Sequence, residues 1–283
     1  AYYCRGGFQQ LADAVATALV DHDGDLALGR SVSRIAVNQG RVGGIVLDDG
    51  ERIRADVVIS AADARETFTN LIEPIALPRR WARRIRRGEV SMSSLALYLG
   101  TDLDVTDLGI TQEHIIQRSW DLDANWQGAR AGAVSGMSVT IPTLADPTLA
   151  PDGHHHVAIE IAAPSSHDHH AHPSTARQMV AAAEEVIPGL GDHISFAHGT
   201  DTPPTSTSDL PLQELGPNYG WAATPSQTGS FRLPQNTPIH GLYLAGHWTQ
   251  PGHGIWTVMI SGLRAARLIL DCNTDSGVQP LHL

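Results

Sequence analysis

Residues 242–256 read LYLAGHWTQPGHGIW. A short apolar run ends in Ala-Gly, a polar loop follows with glycines at 252 and 254, and a long apolar-periodic segment begins at once. That order predicts a strand, a loop and a helix from about 254 to 270. Ile255, Val258, Met259, Gly262, Leu263, Ala266, Ile269 and Leu270 mark the face expected to pack, with Gly262, Ala265 and Ala266 allowing close approach to a neighbour. A helix starting near Gly254 points free N–H groups along the loop, where roughly half a positive charge suits an electron-rich ligand group. Gly252 and Gly254 lack the Cβ that would keep a flat ligand off the backbone, and Trp248 and Trp256 are candidate aromatic walls. The same spacing also fits an ordinary strand-to-helix turn, so two readings stand at this point.

The rest of the chain alternates elements at both ends around a strand-rich centre. Apolar positions Leu11, Val15, Ala18 and Leu19 predict a helix over 8–20. Turn signals at Gln39-Gly40 and Asp49-Gly50 divide 25–60 into a β-meander followed by a more buried strand, ADVVIS. Helical patterns follow near 63–72 and 78–87, then strand-like runs SSLALYLG, EHIIQRS, AVSGMSVTIP and HHVAIEIAAP between 92 and 164. A helix fits 174–187, stopped by Pro188-Gly189, and a Pro/Thr/Ser-rich connection, TDTPPTSTSDLP, follows. The fold class is therefore α/β (α+β): two joined units, one built from both ends of the chain and one mostly antiparallel.

Composition narrows the class. The 283 residues carry a net charge of -11, which argues against nucleic acid as a partner. All 19 basic residues are arginine, the usage of a GC-rich, bacterial genome. Cys4 and Cys272 make no disulfide framework, so a reducing cytoplasm is the expected compartment. No run of 18 apolar residues predicts a transmembrane helix.

The motif GLYLAGHWTQPGHGIWTVMISGLRAA, residues 241–266, resembles the C-terminal flavin motif of the phytoene desaturase family, which includes carotenoid isomerases and retinol-saturase-like oxidoreductases and is related to the amine oxidases. YGWAATPSQTGSFRLP at 219–234 resembles the segment just before it, and RGGFQQLADAVATAL with SVSRIAVNQGRVGGIVLDDGERIRADVVISAAD resembles the family's middle segment. The resemblance implies FAD as cofactor, in a partial Rossmann-like FAD-binding domain with a β-meander, joined to a mostly antiparallel substrate domain. It implies domain bounds of 1–74 and 215–283 for the FAD-binding segments and 75–214 for the substrate domain. It maps His253, Gly254, Ile255 and Trp256 to the pyrimidine edge of the ring, and Gly246 and His247 to the ribitol and diphosphate. It maps Val32 to the adenine and Ala61 to the diphosphate end. Many relatives carry an acidic residue where this chain has His247. His247, His253 and Trp256 are the catalytic candidates. The implied activity is desaturation, dehydrogenation or isomerisation of an apolar, polyene-like natural product by hydride transfer to flavin. The other reading is a non-catalytic partner subunit that keeps the fold without flavin.

The family opens with a G-x-G-x-x-G turn that admits a diphosphate to a helix N-terminus. That motif is absent here, and GRVGG at 40–44 has the wrong spacing. A companion chain, or a missing N-terminal half, is expected to supply it, making the assembly a heteromer. Fifteen histidines concentrate in GHHHV and in SSHDHHAHP at 165–173, where solvated loops are favoured over a metal site because adjacent strand residues point to opposite faces. RRWARRIRR, 79–87, sets Trp81 and Ile85 among six arginines. It reads as a charged surface helix packing two apolar residues, or as a peripheral contact on anionic lipid.

Overall fold

In the computed structural model, which describes residues 3–73, 77–164, 173–199 and 217–274, glycine turns cut the expected meander into strands. Helix α1 (Gln9–Asp21) precedes β1 (Val32–Asn38), β2 (Arg41–Leu47) and β3 (Arg52–Arg54), an antiparallel sheet in the order β1-β2-β3. The β1–β2 turn has positive φ at Gln39 (49°) and Gly40 (76°), the pair of left-handed residues whose twist matches a two-residue hairpin. Strand β4 (Val58–Ser60), α2 (Ala64–Thr69) and α3 (Arg79–Arg87) follow. Then come β5 (Ser93–Thr101), β6 (Glu113–Gln117), α4 (Leu122–Arg130), β7 (Gly136–Thr140), β8 (His155–Ala163), α5 (Pro173–Ala183) and β9 (Ile194–Gly199). The described chain closes with β10 (Leu242–Leu244) and α6 (Ile255–Thr274). Helix α4 and strand β9 were not expected from the sequence.

The chain forms two compact units, Ala1–Leu26 with Met92–Gly216, and Ala27–Ser91 with Pro217–Leu283. These bounds differ from 1–74, 75–214 and 215–283, for a physical reason at the N-terminal segment and at α3. In the first unit, the N–H of Gly6 donates to Asp146 Oδ2 at 2.7 Å, tying the N-terminal segment to the central block. In the second, Trp81 and Ile85 of α3 are buried against Trp221, Leu233 and Trp248. Residues 79–87 therefore belong with the C-terminal elements, and α3 has no apolar face free to enter lipid.

The first unit is a five-stranded antiparallel sheet, order β6-β7-β8-β5-β9. Leu95, Leu97 and Leu99 of β5 alternate inward beside Val157, Ile159 and Ile161 of β8, each such burial worth roughly 1.5–3 kcal/mol. Met179 and Ala183 of α5 close the same core. In the second unit β4 pairs in parallel with β10, a two-stranded sheet among the described residues. The expectation of a buried strand at ADVVIS needs correction: Val57 and Ile59 are exposed, because among the described residues nothing covers that side. No described helix is long and apolar enough to cross a membrane. His167, His169, His170 and His172, and the connection 200–211, lie outside the described residues.

Candidate functional site

Strands β4 and β10 run side by side with Ser60 opposite Leu244, so the chain leaves both strands at one edge of the sheet. In open α/β sheets ligands sit outside the carboxyl ends of parallel strands. At that edge the N–H of Ala245 donates to the Ser60 carbonyl at 3.0 Å. Ala61, exposed, comes next on one strand and Gly246 follows on the other; a Cβ on Gly246 would stand 3.7 Å from the Ala61 carbonyl oxygen. Gly246 has φ 91° and donates its N–H to Ser261 Oγ of α6 at 2.7 Å, which pins the loop to the helix.

Arg232 organises the loop from beneath. It is 1% exposed, and its guanidinium collects carbonyls from separate segments. One terminal nitrogen donates to the carbonyls of Tyr219, at 3.3 Å, and His247. The other donates to the Trp221 carbonyl at 2.7 Å and to His253 Nδ1 at 3.4 Å. Since a guanidinium only donates, Nδ1 of His253 accepts, and the neutral ring carries its proton on Nε2. Gly252 (φ 139°) is buried, and a Cβ there would lie 3.3 Å from Arg232 Nε. The missing side chain at 252 therefore leaves room for Arg232. Burial, together with the positive charge of Arg232, lowers the pKa of both His247 and His253.

Gly254 differs from Gly252. It is exposed with φ 104°, and a Cβ there would meet only Thr257 Oγ1, at 3.2 Å. Helix α6 starts at the next residue, as the glycine spacing predicts, leaving the first amides without intrahelical acceptors. Thr257 Oγ1 donates to the Gly254 carbonyl at 2.7 Å and holds the turn. Ile255 is 51% and Trp256 71% exposed, an apolar pair beside bare backbone.

The structure thus gathers Ala61, Gly246, His247, His253, Gly254, Ile255 and Trp256 in one unit. Val32 lies in β1 of the meander sheet, where it pairs with Leu47. Two expectations need correction. Trp248 is no wall of the loop: it is 3% exposed, packed edge-on against Trp221 with ring centroids 4.7 Å apart. Helix α6 also buries a different face, Ser261 and Ala265, while Ile255, Met259 and Leu263 are exposed. Arg232 was missed in the sequence; the signal was a lone arginine flanked by Phe231 and Leu233 in a Pro/Gly-rich stretch. His154, His155 and His156 diverge: one bonds the Asp152 carbonyl, the next Thr143 Oγ1, and the third stacks on Tyr98.

The family model described as flavin containing amine oxidoreductase matches residues 1–270. Among curated relatives, a chloroplastic prolycopene isomerase of Arabidopsis thaliana is 27% identical over 94% of this chain and 45% of its own length. A neurosporene-forming phytoene desaturase of Rhodobacter capsulatus is 28% identical over 95% of this chain and 54% of its own. The chain thus spans about half the length of these relatives. A solved putrescine oxidase shares the fold with a TM-score of 0.60 at 14% identity, covering 94% of this chain and 53% of that one. An oxidoreductase from Methanosarcina mazei does so with a TM-score of 0.58 at 18% identity, covering 94% and 55%.

Proposed function

Because the chain belongs to the flavin containing amine oxidoreductase family, we propose that it contributes one half of the cofactor cradle of an FAD-dependent oxidoreductase. Its substrate is an apolar, polyene-like small molecule, which it desaturates, dehydrogenates or isomerises. The observation that carries the reading is the loop between β10 and α6. It leaves a parallel strand edge, passes through Gly246, and ends in the exposed, Cβ-free turn at Gly254. A flat ring with a diphosphate tail fits these residues. Gly246 and Ala61 take the diphosphate and ribitol side, and the first amides of α6 with Gly254 take the electron-rich ring edge. Val32 lies toward the adenine. The chain's relatives named as a desaturase and an isomerase of carotenoids support an apolar substrate.

When bound, FAD supplies a two-electron acceptor for a hydride from a substrate C–H bond. Around it, Ile255 and Trp256 exclude water and offer apolar contact. His253 presents its Nε2–H as a donor, a tautomer set by Arg232. His247 is neutral at pH 7 with no side-chain hydrogen bond among the described residues, which leaves it free to take the proton that departs beside the hydride.

We further propose that the cradle is completed by a polypeptide carrying the G-x-G-x-x-G turn, either a companion chain or an N-terminal half. Parallel sheets are normally covered on both faces and seldom stop at two strands. Here Ile59 of β4 and Ile255, Trp256 and Met259 of α6 stand exposed. The test is the visible spectrum of the intact protein, purified with whatever accompanies it. Flavin bands that bleach under anaerobic addition of a reduced polyene are expected. A colourless protein refutes the reading.

A further inference from the structure

A cavity of about 660 Å³ opens within the second unit, between α3 and the segments around Ser226, Ser230 and Gln250. Arg80, Arg83, Arg84 and Arg87 of α3 line it, together with Arg232. Positions 80, 83, 84 and 87 recur at helical spacing, so one face of α3 lines this space with four arginines. None of the described residues lining it is acidic. The arginines of α3 form no ion pair or hydrogen bond with a carboxylate among the described residues, although surface arginines commonly do. The buried Nε of Arg232 also lacks a hydrogen-bond partner. Neutral donors are at hand in Ser226, Ser230 and Gln227.

Trp81 and Ile85, beside the arginine stripe on α3, are buried in the core, Trp81 also lining the cavity, and a Cβ on Gly88 would run into the Trp221 ring, so the helix end sits close against it. Four like charges at neighbouring positions on one helix face repel one another. Arg84 shows the strain: burial and the neighbouring Arg80 both lower its pKa. A bound polyanion would turn that repulsion into attraction, and guanidinium forks match phosphate oxygens in bidentate fashion.

We propose that this cavity is a binding site for a phosphate or diphosphate group, carried by a small molecule or by a lipid headgroup. The site goes beyond the flavin reading and does not depend on it. With Trp81 and Ile85 buried, any lipid contact here is to headgroup charge and not to acyl chains.

The test titrates inorganic pyrophosphate into the intact protein, with binding read by calorimetry at low and high salt. Saturable binding that weakens as salt rises is expected. Arg83→Gln with Arg87→Gln should weaken it tenfold or more, and Arg83→Lys with Arg87→Lys should restore part of it. Sedimentation with phosphatidylcholine vesicles, with and without phosphatidylglycerol, separates the sources. Pyrophosphate binding without vesicle binding assigns a soluble ligand, and phosphatidylglycerol-dependent sedimentation competed by pyrophosphate assigns a headgroup. The flavin-to-protein ratio and circular dichroism of both double variants should equal wild type. The proposal fails if neither probe binds or if the glutamine pair binds pyrophosphate like wild type. It fails equally if that pair loses flavin with its fold intact, since the arginines would then belong to the cofactor cradle.

Discussion

The guanidinium of Arg232 sits among main-chain carbonyls of Tyr219, Trp221 and His247, with no carboxylate bonded to it among the described residues. Its charge has consequences for the two histidines it touches. Burial and Arg232 both hold His247 and His253 below the ordinary histidine pKa of about 6.5. Between their folded values and about 6.5 the unfolded chain binds more protons than the folded one, so stability falls as pH drops through that window and is fully present above it. The thermal midpoint should therefore be lower at pH 5.5 than at pH 7.5, and His247→Gln with His253→Gln should flatten the difference. Asp104 and Asp146, held low by hydrogen bonds from Thr106 and Thr148, titrate below this window, and His156, lowered by burial, is unchanged in the comparison. An equal slope in wild type and the double variant would show that neither burial nor Arg232 perturbs these rings.

At the scale of elements, Gly246, just past β10, is tied to α6 by its N–H, which donates to the fully buried Ser261. Ser261→Ala leaves a part-buried amide unpaired, which costs about 1–3 kcal/mol. Urea unfolding should shift by that amount and flavin retention should weaken with it; an unchanged midpoint would mean the amide finds water. The start of α6 was legible because Gly254 and the apolar period mark a helix onset unambiguously. Its buried face was not: nearly every side of 255–270 is apolar or small, so periodicity favours Ile255 and Met259, while in the fold Ser261, bonded to the Gly246 amide, and Ala265 are the buried positions. Helix α4, LDANWQGAR, carries too few apolar residues to show a period, and Asp121 caps it through a hydrogen bond to the Ala124 N–H at 2.9 Å. The role of Arg232 was hidden for another reason, since which carbonyls a buried arginine meets depends on how distant segments fold back. The glycines at 252 and 254 look alike in the motif, yet one accommodates Arg232 and the other faces outward.

For the whole molecule, the chain spans about half the length of its curated relatives. Ile59 of β4 and Ile255, Trp256 and Met259 of α6 are the exposed apolar side chains on which the proposed companion would pack. Expressed alone, these residues should aggregate or lack flavin, and should become soluble and yellow when produced with a polypeptide carrying G-x-G-x-x-G. A monodisperse, flavin-loaded preparation of these residues alone would remove the case for a companion. The central claim, that the turn at Gly254 receives the flavin ring, is tested most directly by flavin absorbance per protein in Gly254→Val, measured on the intact assembly. The added branched side chain occupies the space beside Thr257 at a backbone angle unsuited to it. Overpacking of this kind costs roughly 1–3 kcal/mol, and about 1.4 kcal/mol is already tenfold in affinity. Flavin occupancy should fall sharply, with Gly254→Ala in between and circular dichroism unchanged in both. Full occupancy in Gly254→Val would contradict the account and leave the glycine as no more than a turn.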